Sequence, residues 1–263
     1  MFFDLPQGAK VDKYLAGMPT TQWLTWTNPR NEYSNAIILA AGAGAGGSAG
    51  TSNSGVGSAA AGGFGHIYCP LSLLPDTLFI QVGLGGAGGT GSGGLGVGGG
   101  TTYISMYPSL QSANYLMSCG GGGQQSNGAV GVAGGTVSIL NTLGIAQGYT
   151  GAGGISFSSF NSRNSLPTTG SPIYAGGVGA TGTGQAGGMV SLSSLYPSIP
   201  GVIDAVGFDG FVIWKPFTVF GGGGGSNGKK AGKGIMGSGG GGGSSPNGGG
   251  GAGGDGFVII ICY

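Results

Sequence analysis

The side chains able to do chemistry are few, and their spacing forms no catalytic or metal-binding set. His66 is the only histidine, so Ser-His-Asp catalysis would depend on it alone, and no Gly-x-Ser-x-Gly elbow adjoins a helix. The seven acidic residues are scattered, with only Asp204 and Asp209 near one another. The sequence therefore predicts a protein that is not an enzyme, with no metal site, no cofactor and a structural role for His66.

The three cysteines also lack a chemical pattern. Cys69, Cys119 and Cys262 show neither metal-ligand nor CxxC spacing, and each lies beside apolar residues. An odd number of cysteines argues against a disulfide framework. We expect buried small hydrophobic side chains rather than reactive thiols.

The basic residues form one small cluster, Lys229, Lys230 and Lys233, inside a stretch of glycine. The preceding spelling, Gly223-x4-Gly228-Lys229, lacks the Ser or Thr and the following helix of a phosphate loop. The net charge is only +1, so no basic face is available for nucleic acid. The sequence predicts a solvated loop here, with a small polyanion contact as the alternative, and no nucleic-acid partner.

The elements that would position these residues are of two unlike kinds. Of 263 residues, 69 are glycine and 6% are charged, yet 39% are hydrophobic, which excludes simple Gly/Ser disorder. The glycines lie in five tracts, at 42–65, 83–100, 120–135, 176–188 and 221–256. Short β-branched and aromatic runs between them predict strands at 36–41, 66–69, 77–82, 102–107, 114–119, 136–140, 211–214 and 257–263.

Helices are almost excluded, because no 3.6-residue apolar periodicity spans ten residues. At most one short helical turn is expected, near 8–17. No run of about 18 apolar residues and no signal-peptide pattern is visible. We therefore expect no membrane insertion.

The spacing of glycine favours a second layer of structure. In the tract 83–100, glycine recurs at positions 85, 88, 91 and 94. This period of three fits a left-handed polyproline II-type helix, which has three residues per turn and no internal hydrogen bonds. Neighbouring tracts would have to satisfy one another's backbone groups, for example in a hexagonal bundle. Flexible linkers are the alternative. The closing strand is apolar at every position, so both its faces must be covered.

The order of four landmarks resembles that of glycine-rich domains in bacteriophage tail and virion proteins. The landmarks are Thr25-Trp26-Thr27-Asn28-Pro29 with a following strand and Ala41–Gly47; Leu78–Gly89 with Thr101–Ile104; Ser118–Gly123; and Gly253–Ile260. Similar architecture is known in tail-fibre tip adhesins of large tailed phages and in the glycine-rich extracellular domain of receptor kinases of the anaplastic lymphoma kinase type. The cysteine pairs of the receptor type are absent, which favours the viral relatives.

The resemblance implies an all-β fold: a jelly-roll-like β-sandwich of the tumour-necrosis-factor type with inserted polyglycine II helices. Residues 1–35 would be an N-terminal docking arm, and residues 36–263 the sandwich with its tracts. A surface-loop insertion is expected at about 155–207, where the chain is less glycine-rich than in the family.

The implied function is that of a non-enzymatic component of a bacteriophage particle, made in the host cytoplasm and located in the virion. A tail, fibre or spike part in host attachment is expected, and a capsid or tail accessory protein without receptor contact is the alternative. Partners would be other virion proteins and a host-surface protein or glycan. A homotrimer and a monomer both stay open.

Loop residues that combine aromatic rings with Asn and Arg suit saccharide or protein contact, with local packing as the alternative. The candidate receptor contacts are Tyr107 and Tyr115 in the 105–117 loop, and Phe157, Phe160, Asn161, Arg163, Asn164 and Tyr174 in the 155–174 loop. The candidates for docking to the virion are Phe2, Phe3, Trp23 and Trp26, with the two tryptophans as core residues in the other interpretation.

Overall fold

Strands account for nearly all regular structure in the computed structural model of the chain. It describes residues 7–15, 22–50, 57–124, 132–140, 145–154, 172–173, 175–176, 206–210, 212–214, 217–222, 224–225, 227–244 and 248–263. In these ranges the only helical elements are two single 3-10 turns, Leu71–Leu73 and Ser112–Asn114. None of the described helices has the length and apolar content needed to cross a membrane.

Twelve strands are described, and they form two five-stranded antiparallel sheets and a hairpin. They are β1 (Lys10–Tyr14), β2 (Leu24–Thr27), β3 (Asn35–Ala41), β4 (Phe64–Pro70), β5 (Thr77–Gln81), β6 (Thr102–Ser105), β7 (Tyr115–Cys119), β8 (Val137–Ile139), β9 (Ile145–Tyr149), β10 (Val212–Trp214), β11 (Phe217–Val219) and β12 (Phe257–Cys262). The first sheet has the order β1-β12-β3-β4-β9, and the second sheet β2-β5-β6-β7-β8. β10 and β11 pair with each other.

The two sheets pack face to face around one core. Ile38 and Ile260 of the first sheet and Ile80 and Ile104 of the second are fully buried in the same hydrophobic cluster. Each such aliphatic side chain contributes about 1.5–3 kcal/mol when removed from water. The predicted all-β sandwich is confirmed.

The outward face of the first sheet is covered as well. Phe257 and Ile259 of β12 belong to a second buried cluster. Alanines of the glycine-rich segments, such as Ala61 and Ala152, and Val219 of β11 complete that cluster. Every residue of β12 is buried, as the uniformly apolar closing strand predicts.

The N-terminal segment contributes one strand to each sheet. β1 is an edge strand paired with β12, from Lys10 opposite Cys262 to Tyr14 opposite Val258. β2 pairs with β5 in the other sheet. β1 therefore occupies the region near 8–17 where the sequence allows one short helical turn, because pairing with a buried strand decides the conformation of this charged segment. Both strands lie within residues 1–35, so part of this segment belongs to the sheets, and its role as a docking arm stays a prediction.

The sandwich has two chemically different ends. At one end β3, β5, β7 and β9 run directly into glycine-rich segments; we call this the glycine end. At the opposite end, which we call the loop end, segments 28–34, 71–76 and 106–114 connect the strands.

Candidate functional site

The glycine end is a bundle whose centre is the segment 42–50. Its amide N–H groups donate in three sets to backbone carbonyl groups of three neighbouring segments. Gly42 and Ala45 donate to Gly63 and Ala60, and Ala43, Gly46 and Ala49 donate to Gly100, Val97 and Gly94. Gly44, Gly47 and Gly50 donate to Gly254, Gly251 and Gly248. The N···O distances are 2.7–3.0 Å. Each set advances three residues while its partner retreats three, so three antiparallel neighbours surround the central segment. This repeat is that of a polyglycine II helix.

The carbonyl groups of the same segment add three more neighbours. Gly44 and Gly47 accept from Gly86 and Gly89, Ala45 and Ser48 accept from Gly240 and Gly243, and Ala43 accepts from Gly122. In the first two pairs both partners advance by three, so these neighbours run parallel. Six segments thus enclose one, and the lateral bonding expected from the spacing of glycine is present.

Glycine is required here because the backbones lie against one another. A Cβ at Gly44 would fall on the carbonyl group of Ser238, and one at Gly46 on the carbonyl group of Ala87. Every residue from 42 to 50 is buried, and eight of their nine amide N–H groups donate the bonds described above. The bundle is therefore closely packed and uncharged at its centre.

The ionisable side chains of the described residues do not assemble into a reactive centre. No group of three His, Cys, Asp or Glu side chains in these ranges is placed to hold a metal ion. Burial raises the pKa of the Cys69 and Cys262 thiols to about 11 and that of Cys119 to about 12. All three cysteines are free and buried, as expected, and raised pKa values make them poor nucleophiles near neutral pH.

His66 lies within a group of aromatic rings on β4 and β9. Its ring centroid is 5.4 Å from that of Tyr68, 6.1 Å from Tyr149 and 6.4 Å from Phe64. The side chain is 4% exposed, and burial lowers its pKa below the usual value. The neutral imidazole therefore serves as one ring of a packed cluster, in keeping with a structural role.

The lysine cluster combines a fixed backbone with exposed side chains. The backbone carbonyl of Lys229 accepts a hydrogen bond from the Ser244 hydroxyl at 3.2 Å, and the backbone amide of Lys233 donates to Asp209 Oδ1 at 2.8 Å. The residues around them are bonded into the bundle, whereas Lys229, Lys230 and Lys233 are themselves exposed. These exposed side chains suit contact with solvent or an anion.

The outer face of the second sheet carries what we call the aromatic row, Trp23, Tyr103 and Tyr115. The ring centroids of Trp23 and Tyr103 are 6.4 Å apart, and those of Tyr103 and Tyr115 are 4.9 Å apart. All three side chains are half-buried. Tyr115 is fixed further by its hydroxyl, which donates to the carbonyl of Leu110 at 2.6 Å.

A β-bulge places Tyr115 in this row. Ile104 pairs with Met117, but Ser105 pairs with Tyr115, so Leu116 is an extra residue on β7. In a regular strand, Tyr115 would point to the same side as Met117, which is buried in the core. The extra residue turns Tyr115 to the outer face, where it meets Tyr103.

The structure shows which of the candidate aromatic residues are exposed and which are buried. Tyr107 is 61% exposed at the loop end, near the turn that holds Leu110. Trp26 is in the core, 2% exposed, with its indole Nε1 donating to Asp12 Oδ2 at 3.0 Å. It therefore takes the core alternative and is closed to a docking partner. Trp23, by contrast, is on the outer face.

The remaining candidates are untested predictions. Phe157, Phe160, Asn161, Arg163, Asn164 and Tyr174, proposed for receptor contact, and Phe2 and Phe3, proposed for docking, lie outside the described residues.

The aromatic row joins residues that the sequence assigned to different tasks. Trp23 was grouped with docking, Tyr115 with receptor contact, and Tyr103 with neither. The available signal is that Tyr103 and Tyr115 lie on strands joined by one short connection, so antiparallel pairing brings them near each other. The bulge that aligns them has no sequence signature of its own.

The sequence of the chain was compared with those of known proteins and protein families. No curated protein matches the chain. The sequence model of a glycine-rich domain matches residues 19–263, a range that holds the whole glycine bundle and every strand except β1. Because the match spans nearly the whole chain, this protein belongs to the glycine-rich domain family.

Proposed function

We propose that the protein is a non-enzymatic structural component of a bacteriophage particle, a tail, fibre or spike part that acts in host attachment. The observation that carries the proposal is the glycine bundle, in which six segments enclose a buried seventh through backbone hydrogen bonds. Such a bundle holds its shape without charged side chains, and its rigidity suits a part that presents a binding surface outside a cell. The resemblance of four sequence landmarks to phage glycine-rich domains supports the same role.

Attachment also needs an exposed surface that differs from the scaffold. The loop end provides Tyr107 and Leu110, each 61% exposed, in the loop expected to contact a receptor. Tyrosine in a rigid setting gives a large contact area at low cost in side-chain entropy. We therefore assign Tyr107 to the contact surface, together with the predicted 155–174 loop residues.

The second candidate function is that of a capsid or tail accessory protein that caps or decorates another virion protein. Leu73, 51% exposed, lies in a loop at the same end as Tyr107 and Leu110. Exposed apolar side chains at one end of a sandwich favour contact with a protein surface. In this case the loop end faces the particle, and no receptor is involved.

The decisive experiment combines localisation and cell binding. Fluorescently labelled full-length chain is added to the host bacteria of the encoding phage, and the chain is located in a density map of the particle. Staining of the cells, with a distal position and neutralisation by antibody, is the expected result. An internal or capping position without staining refutes attachment and supports the accessory function.

Two further measurements bear on the remaining parts of the proposal. Incubation with host-envelope polysaccharide should leave its chain length unchanged, and shortening of the polysaccharide would overturn the non-enzymatic assignment. Light scattering after size-exclusion chromatography distinguishes the homotrimer from the monomer.

A further inference from the structure

The outer face of the second sheet has an unusual combination of side chains. Its strands β2, β5, β6, β7 and β8 contain no Asp, Glu, Lys or Arg. The aromatic row crosses this face. Ser118 on β7 lies opposite Tyr103, and Ser138 on β8 lies opposite Ser118, so two hydroxyl groups extend the line from Tyr103 across β7 and β8.

The rings and hydroxyls are arranged as a shallow platform. The three rings are half-buried, and none of the exposed large apolar side chains of the described chain belongs to these five strands. Protein–protein interfaces usually have protruding apolar side chains at their centre that anchor the partner. The platform lacks such anchors.

The absence of charge narrows the ligand class further. An anionic or cationic ligand would lose hydration on this face without gaining an opposite charge among its strands. A neutral carbohydrate fits both parts of the surface, because the C–H faces of its rings pack on aromatic side chains and its hydroxyls pair with polar groups.

We propose that the aromatic row, with the adjoining serines, binds a neutral saccharide chain. This inference rests on the proposed role in host attachment and deepens it, since it names the ligand class and adds a binding site on the outer face of the second sheet to the contact assigned to the loops. Trp23 and Tyr103 supply stacking surfaces, and Ser118 supplies a hydroxyl beside them.

The test uses the full chain and an array of neutral hexose oligosaccharides together with sialylated and sulfated ones. The variants are Trp23→Ala, Tyr103→Ala and Tyr103→Phe, and affinity for the best oligosaccharide is measured by titration. Leu84→Ala is the matched control, because Leu84 is 49% exposed but lies on a glycine tract rather than on the sheet. Denaturant unfolding of every variant checks that the fold is retained.

We expect binding to neutral oligosaccharides and a loss of about tenfold or more in affinity for each alanine variant. Tyr103→Phe keeps the stacking ring and should retain most of the affinity, and Leu84→Ala should match the wild type. Selective binding of the charged oligosaccharides, or no binding to any, overturns the proposal. So does a loss caused by Tyr107→Ala while both row variants bind normally.

Staining of host cells separates this inference from the broader one. Wild-type staining that Trp23→Ala and Tyr103→Ala abolish supports both proposals. Staining unaffected by these variants leaves host attachment standing and refutes the saccharide platform. Oligosaccharide binding by a chain that stains no host cell supports the platform and refutes attachment.

Discussion

A single methyl group in the bundle should separate two of its segments. The segments 42–50 and 94–100 are joined by three backbone–backbone hydrogen bonds, from Ala43, Gly46 and Ala49, with N···O distances of 2.7–2.9 Å. In Gly96→Ala the new Cβ would lie 2.7 Å from the carbonyl oxygen of Gly47 and closer still to that of Gly46. Both oxygens belong to buried backbone, which has no flexible side chain that could turn aside.

The size of the effect follows from these distances. Ordinary contact to a Cβ begins at 3.4 Å, so the segments must move apart by at least about 0.7 Å. Bonds of 2.7–2.9 Å would then lengthen to about 3.4–3.6 Å, beyond the upper limit of about 3.2 Å for a good N–H···O bond. Weakening three buried bonds at about 1–2 kcal/mol each predicts a loss of about 3–6 kcal/mol in the free energy of unfolding.

Gly98→Ala is the matched control in the same segment. Its new Cβ would have no heavy atom nearer than 3.5 Å, an ordinary contact, and Gly98 has no positive φ. We expect a change within about 0.5 kcal/mol, or a small gain because alanine restricts the unfolded chain. Denaturant unfolding followed by tryptophan fluorescence and far-UV circular dichroism gives both values. Equal stability of the two variants would refute the lateral-bonding account of the glycine tracts.

The other predictions concern the sandwich. The three cysteines should react with a thiol reagent at pH 8 about 100-fold or more slowly in the native chain than in denaturant, because burial raises their pKa values to about 11 or 12; equal rates would contradict their burial. Trp26→Phe should lower the free energy of unfolding by about 1–3 kcal/mol, since it removes the bond to Asp12 and leaves core space, whereas Trp23→Phe should change it by less than about 0.5 kcal/mol. His66 has a lowered pKa in the folded state, so the unfolded chain binds its proton first and stability should fall as the pH drops below about 6.5. His66→Gln should make unfolding curves at pH 7.5 and pH 5 differ less than those of the wild type; an unchanged difference would assign the pH dependence to other groups.

The strands that could be predicted are those with a strong local signal. The runs at 36–41, 77–82 and 257–263 agree with β3, β5 and β12 to within a residue or so at each end. β1 and β9 gave little signal, because one is charged and the other contains glycine and glutamine. Both are edge strands, and their conformation comes from the neighbour with which they pair.

The candidate site residues also divide into those whose position has a local signal and those whose position depends on strand pairing. Tyr107 is the last residue of the predicted strand 102–107, but β6 ends at Ser105, and Tyr107 is exposed in the connection that follows, as connections usually are. The two tryptophans near the N-terminus could not be told apart from spacing alone. Pairing with β5 buries Trp26 in the core and leaves Trp23 beside Tyr103 on the outer face.

The sequence by itself determined that this chain has short strands, few charges and glycine tracts with a three-residue period. Those features are local: they depend on β propensity, on hydrophobicity and on the absence of a side chain. Only the tertiary structure decided which tracts are neighbours, which one is central, and which aromatic rings share a face. A polyglycine II helix has no internal hydrogen bonds, so every partner of residues 42–50 lies in another part of the chain, and no local pattern specifies it.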